Sequence, residues 1–260
     1  MAVPGRRTAA PSGAPPGLAQ TELFAVDAYR RDFDTAVVEV DPGQRRVALA
    51  RTAFYPGGGG QPHDVGELNW SDGRAPVLKV KREAGRIWHW LDADALPPVG
   101  AEVLGELDWP RRHLTMRTHT ALHVLCGVIW TEFAVGVSGG SMEPGKGRLD
   151  FPLPTMSADL GRRVERRVNE EIGRARQVLV DFLGRDVAHG DPALIRTAVH
   201  LVPREVDPLR VVDIVGLDKQ ADGGTHVANT ADIGRVVVSG TESKGKGNKR
   251  IRIEIRDGQG

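Results

Sequence analysis

The chain has 260 residues, of which 40% are apolar and 27% charged, with a formal net charge of +1. That is enough chain for two modest domains or one large one, in the composition of an ordinary soluble globular protein. The near-neutral balance excludes a uniformly polybasic nucleic-acid binder, so any surface for a polyanion must be local. No run of about 18 apolar residues offers a membrane span. The one cysteine, Cys126, excludes an intrachain disulfide and suits a reducing cytoplasm.

In chain order, residues 1–20, MAVPGRRTAAPSGAPPGLAQ, are rich in Pro, Ala and Gly and lack the apolar centre of a signal peptide, so they read as a disordered tail. Residues 21–109 read as a β-rich domain. TAVVEVD and RRVALART are strand-like runs separated by PGQ. APVLKVKRE and RIWHWLD repeat the pattern, with SDGR and EAGR as turns, and LPPVGAEV and GELDW would close a small barrel. Within this domain, FYPGGGGQP (54–62) is first of all a turn between strands. It has neither the Gly-Lys-Ser/Thr ending of a P-loop nor the following helix of a dinucleotide fingerprint. Gln61 stands out as a polar side chain at the end of a loop otherwise bare of side chains.

Composition changes near Pro110, and residues 110–260 read as a second domain. A helix is expected from about Leu114 to Glu132, with Leu122, Leu125, Val128 and Ile129 at helical spacing. GRLDFP reads as a strand. A second helix follows, with Ser157 as N-cap and an apolar stripe of Leu160, Val164, Val168 and Ile172. Its arginines alternate with Glu165, Glu170 and Glu171, the pattern of a solvated face. RVVDIVGLD and RVVVSG are strand-like, and RIRIEI alternates with period two. The whole is expected to be α+β: a small N-terminal β-barrel-like domain, then an α/β domain with a mixed or antiparallel sheet and packed helices.

The segment RTHTALHVL places His119 and His123 four residues apart, on one face of the expected helix. That suits a shared metal ion and equally suits two unrelated histidines. Zinc needs three or four protein ligands. QADGGTHVANT supplies His226, behind a Gly223-Gly224 pair expected to permit a tight backbone path, with Asp222 before it. Three histidines and an open position make a reasonable catalytic zinc site. His63, His89, His113, His189 and His200 have no partner at ligand spacing. ESKGKGNKRIRI gathers Lys244, Lys246, Lys249, Arg250 and Arg252 in a glycine-loosened loop, which suits a phosphate backbone or a plain solvated hairpin. Arg111 and Arg112 are weaker candidates for RNA contact.

Together these stretches resemble one family, the free-standing alanyl-tRNA editing proteins called AlaX and the editing domain of alanyl-tRNA synthetase, from about Leu23 to Ile255. RTAFYPGGGGQPHDVGEL is similar to the glycine-rich module of the longer AlaX forms, RTHTALHVL to the first zinc motif, GGTHVANTADIG to the second, and TESKGKGNKRIRIEI to the C-terminal segment. The resemblance implies a cytoplasmic hydrolase that removes serine, with glycine as a second candidate, from tRNA specific for alanine, by ester hydrolysis at the acceptor end and without ATP. It implies one zinc per chain, held by His119, His123 and His226. The family's usual cysteine falls on Asp222, which leaves three outcomes: Asp222 ligates zinc through oxygen, it orients a histidine, or water takes the fourth place. If it is not a ligand, Asp222 is the candidate base. Cys126, on the same helical face as the two histidines, reads first as a buried thiol. Discrimination against alanine calls for polar side chains that only a seryl hydroxyl satisfies, and Gln61, Thr118 and Ser138 are the candidates. With the family in view, Lys244, Lys246, Lys249 and Arg250 favour RNA contact. The competing readings are editing of a threonine-system tRNA, whose editing module shares a related double zinc motif, and a zinc-stabilised RNA-binding module without activity. Oligomeric state is not legible.

Overall fold

The computed structural model describes residues 13–153, 158–189, 194, 206–243, 245 and 247–257. Ser157, Lys244, Lys246 and His200 lie outside the described residues, as does the side chain of His189. The chain divides into two compact units, Pro15–His113 and Leu114–Gly260.

The first unit opens with two short helices, α1 (Pro16–Thr21) and α2 (Leu23–Val26). Composition places the former in the tail, yet it is helical. Six strands follow: β1 (Asp32–Asp41), β2 (Arg46–Leu49), β3 (Gly66–Trp70), β4 (Gly73–Glu83), β5 (Arg86–Leu91) and β6 (Glu102–Leu107). They close a barrel in the order β1-β2-β5-β4-β3-β6, antiparallel throughout. The barrel follows from period-two patterning: in β6, Val103 and Leu107 point inward while Glu102, Leu104 and Glu106 face out. Phe33, Val37, Val47, Phe54, Leu68, Val77, Val80 and Leu91 complete the core. Strand β3, GELNW, is poor in strand-forming residues and gives little signal by itself. Pairing with β4 on one side and β6 on the other makes it a strand.

Two polar devices sit inside this unit. His89 is fully buried, with Nε2 2.9 Å from the Thr52 hydroxyl and Nδ1 3.3 Å from the Val47 carbonyl, and burial pushes it down to about 4. The second device holds the glycine loop. Gly57, Gly58, Gly59 and Gly60 all take positive φ, a path closed to a run of residues with Cβ atoms. The loop base is locked where Tyr55 N–H donates to Asp64 Oδ2 at 2.7 Å and Asp64 N–H donates back to the Tyr55 carbonyl at 3.0 Å. Arg112 is fully buried and donates to the Asp64 carboxylate, to Ala28 O at 2.9 Å and to Ala53 O at 2.6 Å. Its charge is therefore spent inside the fold, which removes it from the RNA candidates.

The second unit is built around α3 (Trp109–Phe133), which starts five residues earlier than its apolar spacing predicts. From Thr118 to Ile129 every residue is buried, so the helix has no solvent face there. Among the described residues, this unit holds two antiparallel sheets. One has the order β12-β13-β8-β7, from β7 (Gly139–Glu143), β8 (Lys146–Phe151), β12 (Arg235–Ser243) and β13 (Lys249–Arg256). The other is β11-β10-β9, from β9 (Val178–Leu183), β10 (Leu209–Ile214) and β11 (Asp218–Ala221). The helix α4 (Ala158–Gly173) buries Val164, Val168 and Ile172, as its stripe implies. It also covers the free edge of β12. Asn169 donates to Val236 O at 2.8 Å and accepts from Val236 N–H at 3.0 Å, while Glu165 accepts from Val238 N–H at 2.9 Å. A short helix α5 (Arg185–His189) follows β9. The α+β expectation, barrel first and helices with antiparallel sheets after, holds.

Candidate metal centre

A helix buried on all sides must satisfy its polar residues internally, and α3 carries Thr118, His119, Thr120 and His123 in its buried stretch. The one-turn spacing brings the two imidazoles together, with ring centroids 5.1 Å apart. The loop after β11 brings the third. His226 stacks on His119 at 4.2 Å and meets His123 edge-on at 4.7 Å. Asp222, at the start of that loop, has Oδ2 3.0 Å from His226 Nε2 and Oδ1 3.7 Å from His119 Nε2. One ligand atom from each of His119, His123, Asp222 and His226 lies within 4.8 Å of the others, so the group can hold a metal ion. Cys126 is buried outside this group.

The loop is fastened by its own chemistry. Asp222 accepts from Gly224 N–H at 2.7 Å, an Asx turn. Arg210 on β10 donates to the Asp222 carbonyl at 2.8 Å, and Val227 N–H donates to the Thr120 hydroxyl at 3.2 Å. The glycine pair is less demanding than expected. Neither Gly223 nor Gly224 has positive φ, and a Cβ on Gly223 would meet open space. The tight turn comes from the Asp222 side chain.

Electrostatics separate the three rings. Burial drives His119 well below the ordinary imidazole value, aided by the other imidazoles and Arg210, and drives His226 down to about 4. Burial pushes His123 down as well, but the hydrogen bond between its Nδ1 and Asp218 Oδ2 at 3.0 Å, together with the negative charges of Asp218 and Asp222, outweighs that cost and raises it. Burial works against ionisation of Asp222, and the surrounding imidazoles, His119 first, overcome it and hold the carboxyl well below its usual range. At neutral pH His119 and His226 are therefore neutral imidazoles beside the Asp222 carboxylate, while His123 is the ring that holds a proton most readily.

Asp218 and Thr120 belong to this centre and carry no motif signal. Asp218 is 2% exposed and shares the inward face of β11 with Gln220, which donates to it at 2.8 Å. A buried Asp and Gln two apart in DKQA is the one trace in the sequence. Thr120 reads as a spacer between the histidines, yet its hydroxyl lies 3.2 Å from His226 Nδ1.

The other candidates have local partners. The Thr118 hydroxyl donates to Leu114 O at 2.7 Å and accepts from Gly145 N–H at 2.9 Å. Ser138 is exposed, and its hydroxyl donates to Asp150 O at 3.0 Å. Gln61, in the first unit, is buried and closes the glycine loop through paired backbone hydrogen bonds with Gly58 of 2.9 and 3.1 Å. Lys249 is buried, its ammonium donating to Ser243 Oγ at 2.7 Å and Gly245 O at 3.1 Å. Arg250 forks onto Asp150 at 2.7 and 2.8 Å. Both are engaged within the β8–β13–β12 sheet.

Residues 21–111 match the family model described as tRNA synthetases class II (A), and residues 209–252 match the threonyl and alanyl tRNA synthetase second additional domain. The chain is 37% identical to an alanyl-tRNA editing protein AlaX-M of Saccharolobus solfataricus over 237 residues, covering 90% of this chain and 98% of the relative. It is 34% identical to the AlaX-M of Methanosarcina barkeri, with the same coverage. It is also 36% identical to an alanine–tRNA ligase of Pyrobaculum aerophilum, over 85% of this chain and 25% of the ligase. Full-length correspondence with free-standing editing proteins, and with only a quarter of a ligase, places the chain in the alanyl-tRNA editing protein AlaX-M family.

Proposed function

We propose that this chain is a trans-editing hydrolase that removes serine, and glycine as a second substrate, from tRNA specific for alanine, using one zinc ion per chain. The observation that carries the reading is the meeting of His119, His123, His226 and Asp222 within 4.8 Å, in a member of a family named for alanyl-tRNA editing. The donor set fits a zinc ion. Zinc takes both imidazole nitrogen and carboxylate oxygen as ligands, and the group offers three of the first and one of the second. Deprotonated imidazoles beside an ionised Asp222 leave lone pairs facing one another, an arrangement that a cation relieves. Bound there, the ion supplies Lewis-acid polarisation of the ester carbonyl and a lowered pKa for water.

The chain's own residues supply the rest. The three imidazoles and Asp222 hold the centre, and the near-complete burial of the imidazoles limits competition from bulk water. Arg210 anchors the Asp222 backbone and keeps a positive charge 4.0 Å from its carboxylate, so that Asp222 retains its place whether or not it ligates. The turn between β12 and β13 carries Lys244 and Lys246 in sequence. We assign that basic segment to the phosphates of the acceptor end, while Lys249 and Arg250 are engaged by Ser243, Gly245 and Asp150.

The test is a deacylation assay without ATP, on Ser-tRNA and Ala-tRNA of the alanine system, with protein stripped by a chelator and then given zinc. Hydrolysis of the seryl ester that disappears on stripping and returns with zinc is expected, with discrimination against alanine reaching ~10⁴–10⁵ if polar groups read the seryl hydroxyl. Full metal loading without seryl hydrolysis would point instead to a binding module.

A further inference from the structure

We infer that Asp218 and Thr120 are positioning residues of the metal centre, which fix the proton on Nδ1 of His123 and of His226 and so leave both Nε2 atoms as ligands. This rests on the metal reading above and adds to it two residues outside the ligand set. At His123 the partner is a buried carboxylate. Asp218 Oδ2 lies 3.0 Å from Nδ1 and can only accept, so the neutral ring carries its proton there. Gln220 donates to the same oxygen at 2.8 Å and holds it in place.

At His226 the partner is a hydroxyl, and its direction is set by the helix. Thr120 Oγ1 donates its proton to the Met116 carbonyl one turn back, at 2.9 Å. With that proton committed, only lone pairs remain. They receive Val227 N–H at 3.2 Å and face His226 Nδ1 at 3.2 Å. The nitrogen left over, Nε2, is the one 3.0 Å from Asp222 Oδ2. Two lone-pair atoms at that distance need a cation or a proton between them, and the tautomer imposed by Thr120 favours the cation. Two unrelated elements, β11 and α3, thus impose the same tautomer on imidazoles from different parts of the chain. Thr120 does a second job. By holding Val227, the residue next to His226, it ties the ligand loop to the helix that carries the other two histidines.

The experiment compares Asp218→Asn, Thr120→Val and Thr120→Ser in the full chain. Zinc affinity is measured by competition with a chromogenic chelator, and the visible spectrum is recorded after loading with Co²⁺. Asp218→Asn and Thr120→Val are expected to weaken zinc binding by about 10–100-fold, the usual cost of losing such a partner, and to change the Co²⁺ band. Thr120→Ser keeps the hydroxyl and should stay within about twofold of the parent, with an unchanged band. Parental affinity and spectrum in both Asp218→Asn and Thr120→Val would overturn the inference, as would a Thr120→Ser protein as weak as Thr120→Val. If circular dichroism shows Asp218→Asn unfolded, the two Thr120 variants decide. A parent chain that binds neither Zn²⁺ nor Co²⁺ would sink the metal reading itself, before any variant is compared.

Discussion

At the scale of single residues, the centre depends on groups that pull in different directions. Asp222 is the ionised member, and its replacement by alanine should weaken zinc retention by more than about tenfold, read by metal content after dialysis. An unchanged content would take Asp222 out of the ligand set. His123→Ala should abolish both retention and seryl hydrolysis, and hydrolysis surviving at full rate would remove the proposed centre. His89 in the barrel makes a separate prediction. Its folded value near 4 lies below the ordinary 6.5, so the unfolded chain takes up a proton that the folded chain refuses. Stability should be level above about pH 6.5 and fall as pH drops toward 4, by about 3 kcal/mol in total from this residue. Urea unfolding across that range should show a shallower acid slope for His89→Leu than for the parent. Equal slopes would mean that the imidazole is not held neutral.

At the scale of elements, α3 shows what full burial demands. Gly127 is a poor helix former, and Ala there would ordinarily gain about 1 kcal/mol. A Cβ at Gly127 would lie 2.7 Å from the Leu217 side chain and 3.0 Å from its carbonyl, closer than packing allows. Gly127→Ala should therefore destabilise, by about 1–3 kcal/mol of overpacking before the propensity gain is subtracted. A thermally stabilised variant would show that the neighbouring turn yields freely. The glycine loop poses the matching question in the first unit. Arg112→Met strands the Asp64 carboxylate in the interior, and a cost of about 3–5 kcal/mol is expected. Urea denaturation checks it, and the double change with Asp64→Asn should recover part of the loss.

At the scale of the whole molecule, the centre is built from residues 119 to 226, all within the second unit. Zinc at about 100 times its Kd should add about 2.7 kcal/mol to that unit's stability. Hydrogen exchange should then slow in α3 and in residues 218–228, with the barrel strands unchanged. Uniform slowing across both units would argue that the metal acts elsewhere. Among the described residues, no helix is long and apolar enough to cross a membrane.

Much of this was legible in the sequence, and the limits have physical causes. Period two marks most of the barrel strands and period 3.6 marks α4, because a half-buried strand or helix writes its geometry into its pattern, whereas α3, buried on all sides from Thr118 to Ile129, shows its apolar residues without a polar face. Metal-ligand spacing marks His119 and His123, because ligands one helical turn apart need no knowledge of the rest of the fold, while His226 is marked by the GGTH stretch that resembles the family's second motif. The pattern failed where pairing, not propensity, makes the element, as in β3. It failed again where a side chain's job depends on what approaches it. Arg112 reads as a surface cation and is buried against Asp64. Asp218 and Thr120 read as a strand residue and a spacer, and each faces a histidine more than ninety positions away. The sequence alone determined that three imidazoles are candidate ligands, and it left the place of Asp222 open. Only the tertiary structure decided which nitrogen of each ring faces the centre, because a hydrogen-bond partner across the fold sets that choice.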